Sequence, residues 1–275
     1  MTAIPPVHSE ILDFYANGNE GGRLTSSASG RLELERTREL LRRHLPPPPG
    51  RIADIGGGPG AHARWLTEAG YEVHLVDPVP GHIEQAATIP GVTTELGDAR
   101  TLSAPAGVFE AALLLGPLYH LEARTDRLTA LAEARRTVRP GGLVAAAAIS
   151  RYAPLLDYAA AGALGEEGIA DRVRHRLATG YHPAPQTGLT TAFTIAYFHT
   201  AAGLADELTE AGLRNVHVYG IEGPGWPMVK AIERHTGTDL TGTPMTHGAL
   251  VAARLGDDHP ELTDMSAHLL AIART

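Results

Sequence analysis

One stretch limits what this chain can fold into more than any other: Arg51-Ile52-Ala53-Asp54-Ile55-Gly56-Gly57-Gly58-Pro59-Gly60. An apolar, β-type run ends in an acid. A glycine-dense turn follows, and Ala61 to Glu68 reads as a helix. Strand, glycine turn and helix in that order bring backbone against a nucleotide-like ligand in an α/β protein. Glycine accepts positive φ and has no Cβ to hold the ligand off. The start of the helix adds N–H groups that no turn of helix has used.

The chain around this stretch alternates as an α/β protein must. The pattern predicts strands over 51–55, 72–76, 92–96, 108–115 and 143–149, with helices over 61–69, 81–87 and 124–138. Arg139-Pro140-Gly141-Gly142 reads as a sharp turn before the last of these strands. Such an order implies a parallel, doubly wound sheet with right-handed crossovers. After Ser150 the rhythm breaks. A helical stretch over 155–177, a Gly/Pro-rich turn and a Thr- and aromatic-rich run over 189–199 read as an inserted lid. The rhythm returns with a helix over 201–211 and a strand over 215–221. Residues 222–265 form a second insertion with helices over 228–236 and 246–255, and a strand over 268–273 closes the chain. Before the glycine turn, Ser9 reads as the N-cap of a helix over 9–16, and residues 17–22 as a loop. A helix over 32–45 follows, with Arg31 and Arg36 among its solvated charges, and Pro46 to Pro49 stops it. The chain reads as a single domain, 1–275. It comprises a helical cap (1–49), a ligand-binding half (50–150), a lid (151–199), the second half of the sheet (200–221 and 266–275) and the second insertion (222–265).

Composition removes several classes of function. At 275 residues with 43% apolar content, the chain can bury a core of that size. A net charge of −8 counts against a nucleic-acid footprint, which needs clustered Lys and Arg. The absence of cysteine removes disulfides, Cys-ligated zinc and thiol nucleophiles. Fourteen histidines are present, none in an HExxH pattern, and no metal site is expected. Met1 to Pro6 lacks the basic and apolar regions of a signal peptide, and the apolar run Leu143 to Ile149 is too short to span a bilayer. The expectation is a soluble cytoplasmic protein, monomer or homodimer, with no nucleic-acid or membrane partner.

The glycine spacing alone does not choose the nucleotide. Gly56, Gly58 and Ala61 satisfy the relaxed dinucleotide pattern G-x-G-x-x-A. Asp54 does discriminate. A carboxylate before the turn suits a cationic amino group and is electrostatically wrong against a pyrophosphate. Asp77, at the next strand end, is placed to bridge ribose hydroxyls, a position NAD also uses. Asp98 follows the third strand, where it could take an adenine amino group. Each acid taken singly also reads as a turn or cap residue.

Taken together these residues resemble the class I S-adenosylmethionine-dependent methyltransferases. Asp54 to Gly60 fits their D-x-G-x-G-x-G motif. Asp77, Gly97-Asp98-Ala99, Leu115-Gly116-Pro117 and Pro140-Gly141-Gly142 are similar to the later motifs, in order. The resemblance covers roughly 50–150, and more loosely 200–221 and 266–274. It implies a Rossmann-like, seven-stranded sheet in order 3-2-1-4-5-7-6 with the last strand antiparallel. It also implies that Gly56, Gly58 and Gly60 pack on the methionine end of S-adenosylmethionine and that Asp77 holds its ribose. Pro78, Asp98, Ala99 and Arg100 would frame its adenine, and Leu115 and Gly116 would supply backbone beside the sulfonium.

The acceptor side is read from aromatic and titratable residues at the carboxyl ends of the strands. Tyr119 and His120 follow the fourth strand and should face the methyl group, with His120 as base or orienting group; His120 also reads as a cap for the next helix. Tyr15, on the N-terminal helix, reads either as a lid residue over the donor or as core. Chain-wide aromatic content is 5%, so the enrichment in the insertions stands out. Tyr152, Tyr181, Phe193, Tyr197 and Trp226 are candidates to stack on a flat acceptor, or to pack lid on core. The expected function is methyl transfer to a small, aromatic or heterocyclic acceptor. The lid is similar, more faintly, to that of actinobacterial enzymes that methylate indole C3 in cyclic dipeptides. The alternatives are methylation of tRNA or a protein side chain, and an NAD-dependent oxidoreductase.

Overall fold

A computed structural model describes residues 7–18, 20–183 and 193–275. Seven strands form one sheet: β1 (Arg51–Ile55), β2 (Glu72–Asp77), β3 (Val92–Leu96), β4 (Phe109–Leu114), β5 (Val138–Ile149), β8 (Arg214–Gly220) and β9 (His268–Arg274). Their order is β3-β2-β1-β4-β5-β9-β8. The pairs from β3 to β5 are parallel, and β9 runs antiparallel to both β5 and β8. With the two short strands β6 (Tyr181–His182) and β7 (Ala196–Tyr197) set apart as a hairpin, this is the expected order 3-2-1-4-5-7-6.

Alternation along each strand splits the core into two layers. Ala53, Ala112, Leu114, Val144, Ala146, Leu269 and Ala271 face one way. There they meet Ala130, Leu131 and Ala134 of α6 (Arg124–Thr137) and Leu204 and Leu208 of α9 (Ala201–Glu210). Ile52, Ala111, Leu113, Ala145, Ala147, Leu270 and Ile272 face the other way. They meet Leu40 and Leu41 of α3 (Ala28–His44) and Trp65 and Leu66 of α4 (Ala61–Glu68). Burial on both faces is why β5 could be a nearly continuous Val/Ala run.

Helix α1 (Ser9–Asn17) lies before a short α2 (Glu20–Arg23), where the sequence suggested only a loop. Ser9 is the first residue of α1 and makes no cap bond; His8 holds the N-cap position. The cap residue that acts is Ser27, whose Oγ accepts from the Gly30 N–H at the start of α3. Arg36 is not solvated, as its helix-face position suggested. It is fully buried and pairs with Glu39 and Asp257, tying α3 to the second insertion.

The lid is α7 (Ala153–Ala160), α8 (Ile169–Thr179) and the β6–β7 hairpin. A single helix over 155–177 does not form, because Gly162, Gly165 and Gly168 fall inside it and glycine is a poor helix former. The expected turn at 139–142 is instead an irregularity within β5, where the register against β4 shifts between Phe109 and Ala111. The expected run over 189–199 lies outside the described residues up to 192. The second insertion holds α10 (Trp226–Thr236), α11 (Pro244–Leu255) and the short α12 (Pro260–Thr263). Trp226, Val229, Ala249 and Leu250 pack there against Ala28 and Leu32 of α3. Among the described residues no helix is long and apolar enough to cross a membrane.

Candidate active site

The carboxyl ends of β1, β2 and β4 open into a cavity of about 440 Å³, within the usual range for a small-molecule site. The glycine turn forms its floor. Gly56 (φ +69°) is so close to the next strand's loop that a Cβ would lie 2.8 Å from Pro117 Cδ. Gly60 (φ +91°) does not face the cavity. Its absent Cβ makes room for Ile89, whose Cδ1 would be 2.4 Å away, so it sets the packing of α4.

Asp77 organises the turn. Its carboxylate accepts from the Gly58 N–H (2.8 Å), the Val79 N–H (3.0 Å) and Nδ1 of His82 (3.0 Å). His82, on α5 (Pro80–Ala86), is buried and lines the cavity. The sequence reading missed it, because no spacing rule ties a residue five on to the acid at a strand end.

Asp54 is in the opposite situation. It is 1% exposed and lines the cavity, and neither carboxylate oxygen has a hydrogen-bond partner among the described residues. Burial, with the Asp77 charge adding to it, pushes its pKa up to about 7. An unpaired buried carboxylate is costly unless a cation completes it. Asp98 accepts from the Arg100 N–H and from its Nε and Nη2, and Arg100 reaches on to Asp126. Pro78, Asp98, Ala99, Arg100, Leu115 and Gly116 all line the same cavity.

Tyr15, Tyr119 and His120 come together at the other side of the glycine turn. Tyr119 and His120 lie in a single 3-10 turn, Leu118–His120, directly after β4. The Tyr15 hydroxyl is 2.7 Å from His120 Nε2, and His120 Nδ1 faces the Ile195 carbonyl at 3.5 Å. Burial lowers His120 to about 4, raises Tyr119 to about 12 and raises Tyr15 well above the ordinary phenol value. All three groups are therefore neutral near pH 7. The Phe193 ring is tilted against His120 at 5.8 Å and stands edge-on to Phe14 at 5.7 Å.

The other candidate acceptor residues lie elsewhere. Trp226 is buried in the second insertion, where its Nε1–H donates to the Met265 carbonyl. Tyr197 lies under Arg127, 3.8 Å from ring centroid to guanidinium, and its hydroxyl accepts from Arg151. Tyr152 is exposed at the start of α7, and Tyr181 lies beside Glu122 on the lid. None of these four lines the cavity.

Of a further set of charged residues, Glu20 and Arg23 read from the sequence as able to order the lid over the donor, while Glu33, His62 and His268 were not anticipated. Glu20 and Arg23 of α2, Glu33 of α3, His62 of α4 and His268 of β9 line the cavity's far end. Arg23 forks onto both Glu33 oxygens (2.8 and 2.9 Å). Glu20 and Arg23 are one turn apart on α2, but Glu33, His62 and His268 come from three other elements, and no local motif joins them to it.

Over residues 52–142 the chain matches the family described as a methyltransferase domain. That stretch is similar to a methyltransferase domain, and the fold is the one seen in solved S-adenosylmethionine-dependent methyltransferases. A 102-residue stretch is 38% identical to an uncharacterized 37.1 kDa protein in transposon TN4556 of Streptomyces fradiae, covering 34% of this chain; the chain spans 29% of the length of that relative. The methyltransferase fold extends to nearly the whole chain. A Methanosarcina mazei S-adenosylmethionine-dependent methyltransferase superposes with a TM-score of 0.57 at 17% identity, over 86% of this chain and 96% of the other. One from Mesorhizobium loti gives 0.56 at 20%, over 88% and 100%. Phosphoethanolamine N-methyltransferase 2 of Haemonchus contortus, in complex with phosphomonomethylethanolamine and S-adenosylhomocysteine, gives 0.53 at 17%, over 88% and 52%.

Proposed function

We propose that this chain transfers the methyl group of S-adenosylmethionine to a small aromatic or heterocyclic acceptor. The observation that carries the donor reading is Asp54, a buried carboxylate with two unpartnered oxygens in the cavity wall. The donor's α-ammonium group supplies the cation this carboxylate lacks. A dinucleotide would set a pyrophosphate near the same charge. Gly56 and Gly58 would carry the methionine end, and Asp77 the ribose. Pro78, Asp98, Ala99 and Arg100 would frame the adenine, and Leu115 and Gly116 the sulfur. The donor supplies a methyl group on a cationic sulfur.

The protein's part is position and dryness. Tyr15, Tyr119 and His120, backed by the Phe193 ring, make a largely apolar, neutral wall of the cavity. Their rings suit a flat acceptor, of which the indole of a cyclic dipeptide is one example. Enclosure by α1 and α2 favours a small acceptor over tRNA or a protein side chain, and the net charge of −8 is adverse to RNA.

Calorimetry with S-adenosylhomocysteine and with NAD tests the donor. S-adenosylhomocysteine should bind; binding of NAD alone would sink the proposal. Methyl-labelled donor, supplied with separated low-mass, RNA and protein fractions of a cell extract, tests the acceptor. Label should enter the low-mass fraction, and incorporation into RNA or protein alone would overturn the small-acceptor reading.

A further inference from the structure

The wall formed by Tyr15 and His120 provides orientation but no proton acceptor. The Nε2 lone pair of His120 is taken by the Tyr15 hydroxyl, and burial keeps the imidazole a weak base. An acceptor that loses a proton on methylation needs a base elsewhere in the same cavity.

His268 opens β9, with Ile149 of β5 as its pairing partner. By the two-residue period it faces the same way as Leu270 and Ile272, the layer that also holds Ile52 and Ala147. Asp54 follows Ile52 by two and shares that face, and Asp54, Ala147 and His268 all line the cavity. β9 lies two strands from β4, about 10 Å at the usual strand spacing. Leu115, Gly116 and His268 line the same cavity, so an acceptor seated beside the Leu115–Gly116 backbone shares that space with the imidazole.

The imidazole is held from one side only. Its Nδ1 is 2.5 Å from Glu222 Oε1. Glu222 is 2% exposed, and its Oε2 accepts from Ser266 Oγ (2.7 Å) and the His268 N–H (2.9 Å). Ser266 Oγ in turn accepts from the Glu222 N–H. The carboxylate is therefore fixed, and it places the imidazole proton on Nδ1. Nε2 has no hydrogen-bond partner among the described residues.

We propose that His268 is a catalytic residue of this domain, the general base for an acceptor bearing O–H or N–H, and that Glu222 is its positioning residue. The inference rests on the methyl-transfer reading. As the acceptor's electron pair forms the bond to the methyl carbon, its proton passes to His268 Nε2. The electron pair of the broken carbon–sulfur bond stays on sulfur. Glu222 keeps the Nδ1 proton and balances the imidazolium, which then releases its Nε2 proton to water.

The groups facing His268 from neighbouring elements are Glu222 after β8, Glu33 on α3 and Arg23 on α2, with His62 on α4 acting through Glu33. Burial lowers the imidazole's basicity, but Glu33 and Glu222 outweigh it and leave the pKa above that of free histidine. The two carboxylates therefore favour the imidazolium that proton capture creates. Glu33, Glu222 and His268 also lie close enough together to ligate a metal. The Arg23 fork on Glu33 and the Nδ1–Glu222 bond already use that space.

The test uses the full chain saturated with S-adenosylhomocysteine and imidazole-resolved nitrogen NMR. The His268 signal should show the Nδ1–H tautomer and titrate above free histidine, and Glu222→Gln should lower that midpoint. An Nε2–H tautomer, or a midpoint below free histidine, would overturn the proposal. In parallel, His268→Gln should cut label transfer to the pooled low-mass extract by about 100-fold or more. Its affinity for S-adenosylhomocysteine should stay within about threefold of the wild type, the margin of a residue that acts on the acceptor alone. Unchanged transfer in that variant, or loss of transfer on dialysis against EDTA with recovery on adding Mg²⁺ or Mn²⁺, would overturn it. Failure of the wild type to bind S-adenosylhomocysteine would instead remove the methyl-transfer reading beneath it.

Discussion

Tyr15 and His120, 105 residues apart, meet in the wall of the cavity with hydroxyl and Nε2 2.7 Å apart. The bond fastens α1 to the end of β4. It also sets the tautomer, because Nδ1–H then faces the Ile195 carbonyl and Nε2 accepts from the phenol. The Tyr15 ring stands edge-on to both His120 (5.3 Å) and His82 (5.6 Å). One side chain of the cap thus touches the residue that supports Asp77 and the residue beside the proposed methyl position.

Tyr15→Phe removes the hydroxyl and keeps the ring. It should lower label transfer about tenfold while changing affinity for S-adenosylhomocysteine less than threefold, because the lost bond, worth about 1 kcal/mol, orders the acceptor wall alone. His120→Ala should show the same split with a larger loss of turnover. A matching rise in the donor's Kd in either variant would place these residues on the donor side.

The sheet was legible because its signals are local. The Asp54–Gly60 turn, the apolar runs of β1, β4 and β5, and the acids at the ends of β1 and β2 each identify themselves within a few residues. Tyr15 and the Tyr119–His120 pair could be named singly, but nothing in the sequence says that they touch. His82, Glu33, Glu222 and His268 were invisible for the same reason. Each is one polar residue on an ordinary element: only the packing of α5 on the end of β2 brings His82 to Asp77, and only the crossing of β9, α3 and the loop after β8 assembles the other three. Trp226 and Tyr197 misled because aromatic enrichment does not separate a ring facing a cavity from one filling a core. Trp226 packs against α3, and Tyr197 carries a buried guanidinium on its face.

Asp54 should make donor binding depend on pH. Its pKa stands at about 7 in the donor-free protein, against 3.8 for an ordinary aspartate. Binding an ammonium group selects the ionised form, so below pH 7 binding must release a proton. Affinity for S-adenosylhomocysteine should therefore rise as pH increases towards 7, by up to about tenfold per unit, and then level off. Calorimetry in buffers of different ionisation enthalpy should detect the proton released at pH 6. Asp54→Asn should bind weakly, with neither the pH slope nor the proton.

Asp77 carries two duties that one substitution can separate. It fixes the turn through the Gly58 and Val79 N–H groups and His82, and it is the proposed ribose ligand. Asp77→Ala should weaken S-adenosylhomocysteine binding at least 100-fold and also lower the melting temperature, since buried donors lose their acceptor. His82→Ala keeps the carboxylate but frees it to turn. It should cost about tenfold in donor affinity, with little change in turnover at saturating donor. Equal donor affinity in His82→Ala and the wild type would show that the backbone N–H groups suffice.

Stability at low pH should depend on Glu207. This carboxylate, on α9, is buried against Arg127, whose Nε and Nη2 both donate to it, and against His199 (3.2 Å). Burial alone would raise its pKa, but His199 and Arg127 override that and bring it to about 2 from 4.5. The native state therefore binds this proton less readily than the unfolded chain. The resulting stabilisation is complete above about pH 4.5 and disappears as pH falls through about 2. Glu207→Ala leaves Arg127 buried with no carboxylate, held by the Leu121 and Glu122 carbonyls and the Tyr197 ring face. It should destabilise the fold by about 3–5 kcal/mol at pH 7, as breaking a buried pair from one side does. In urea melts, the gap between wild type and variant should narrow between pH 4.5 and pH 2. A gap that stayed constant across that range would mean the loss comes from packing and not from the ion pair.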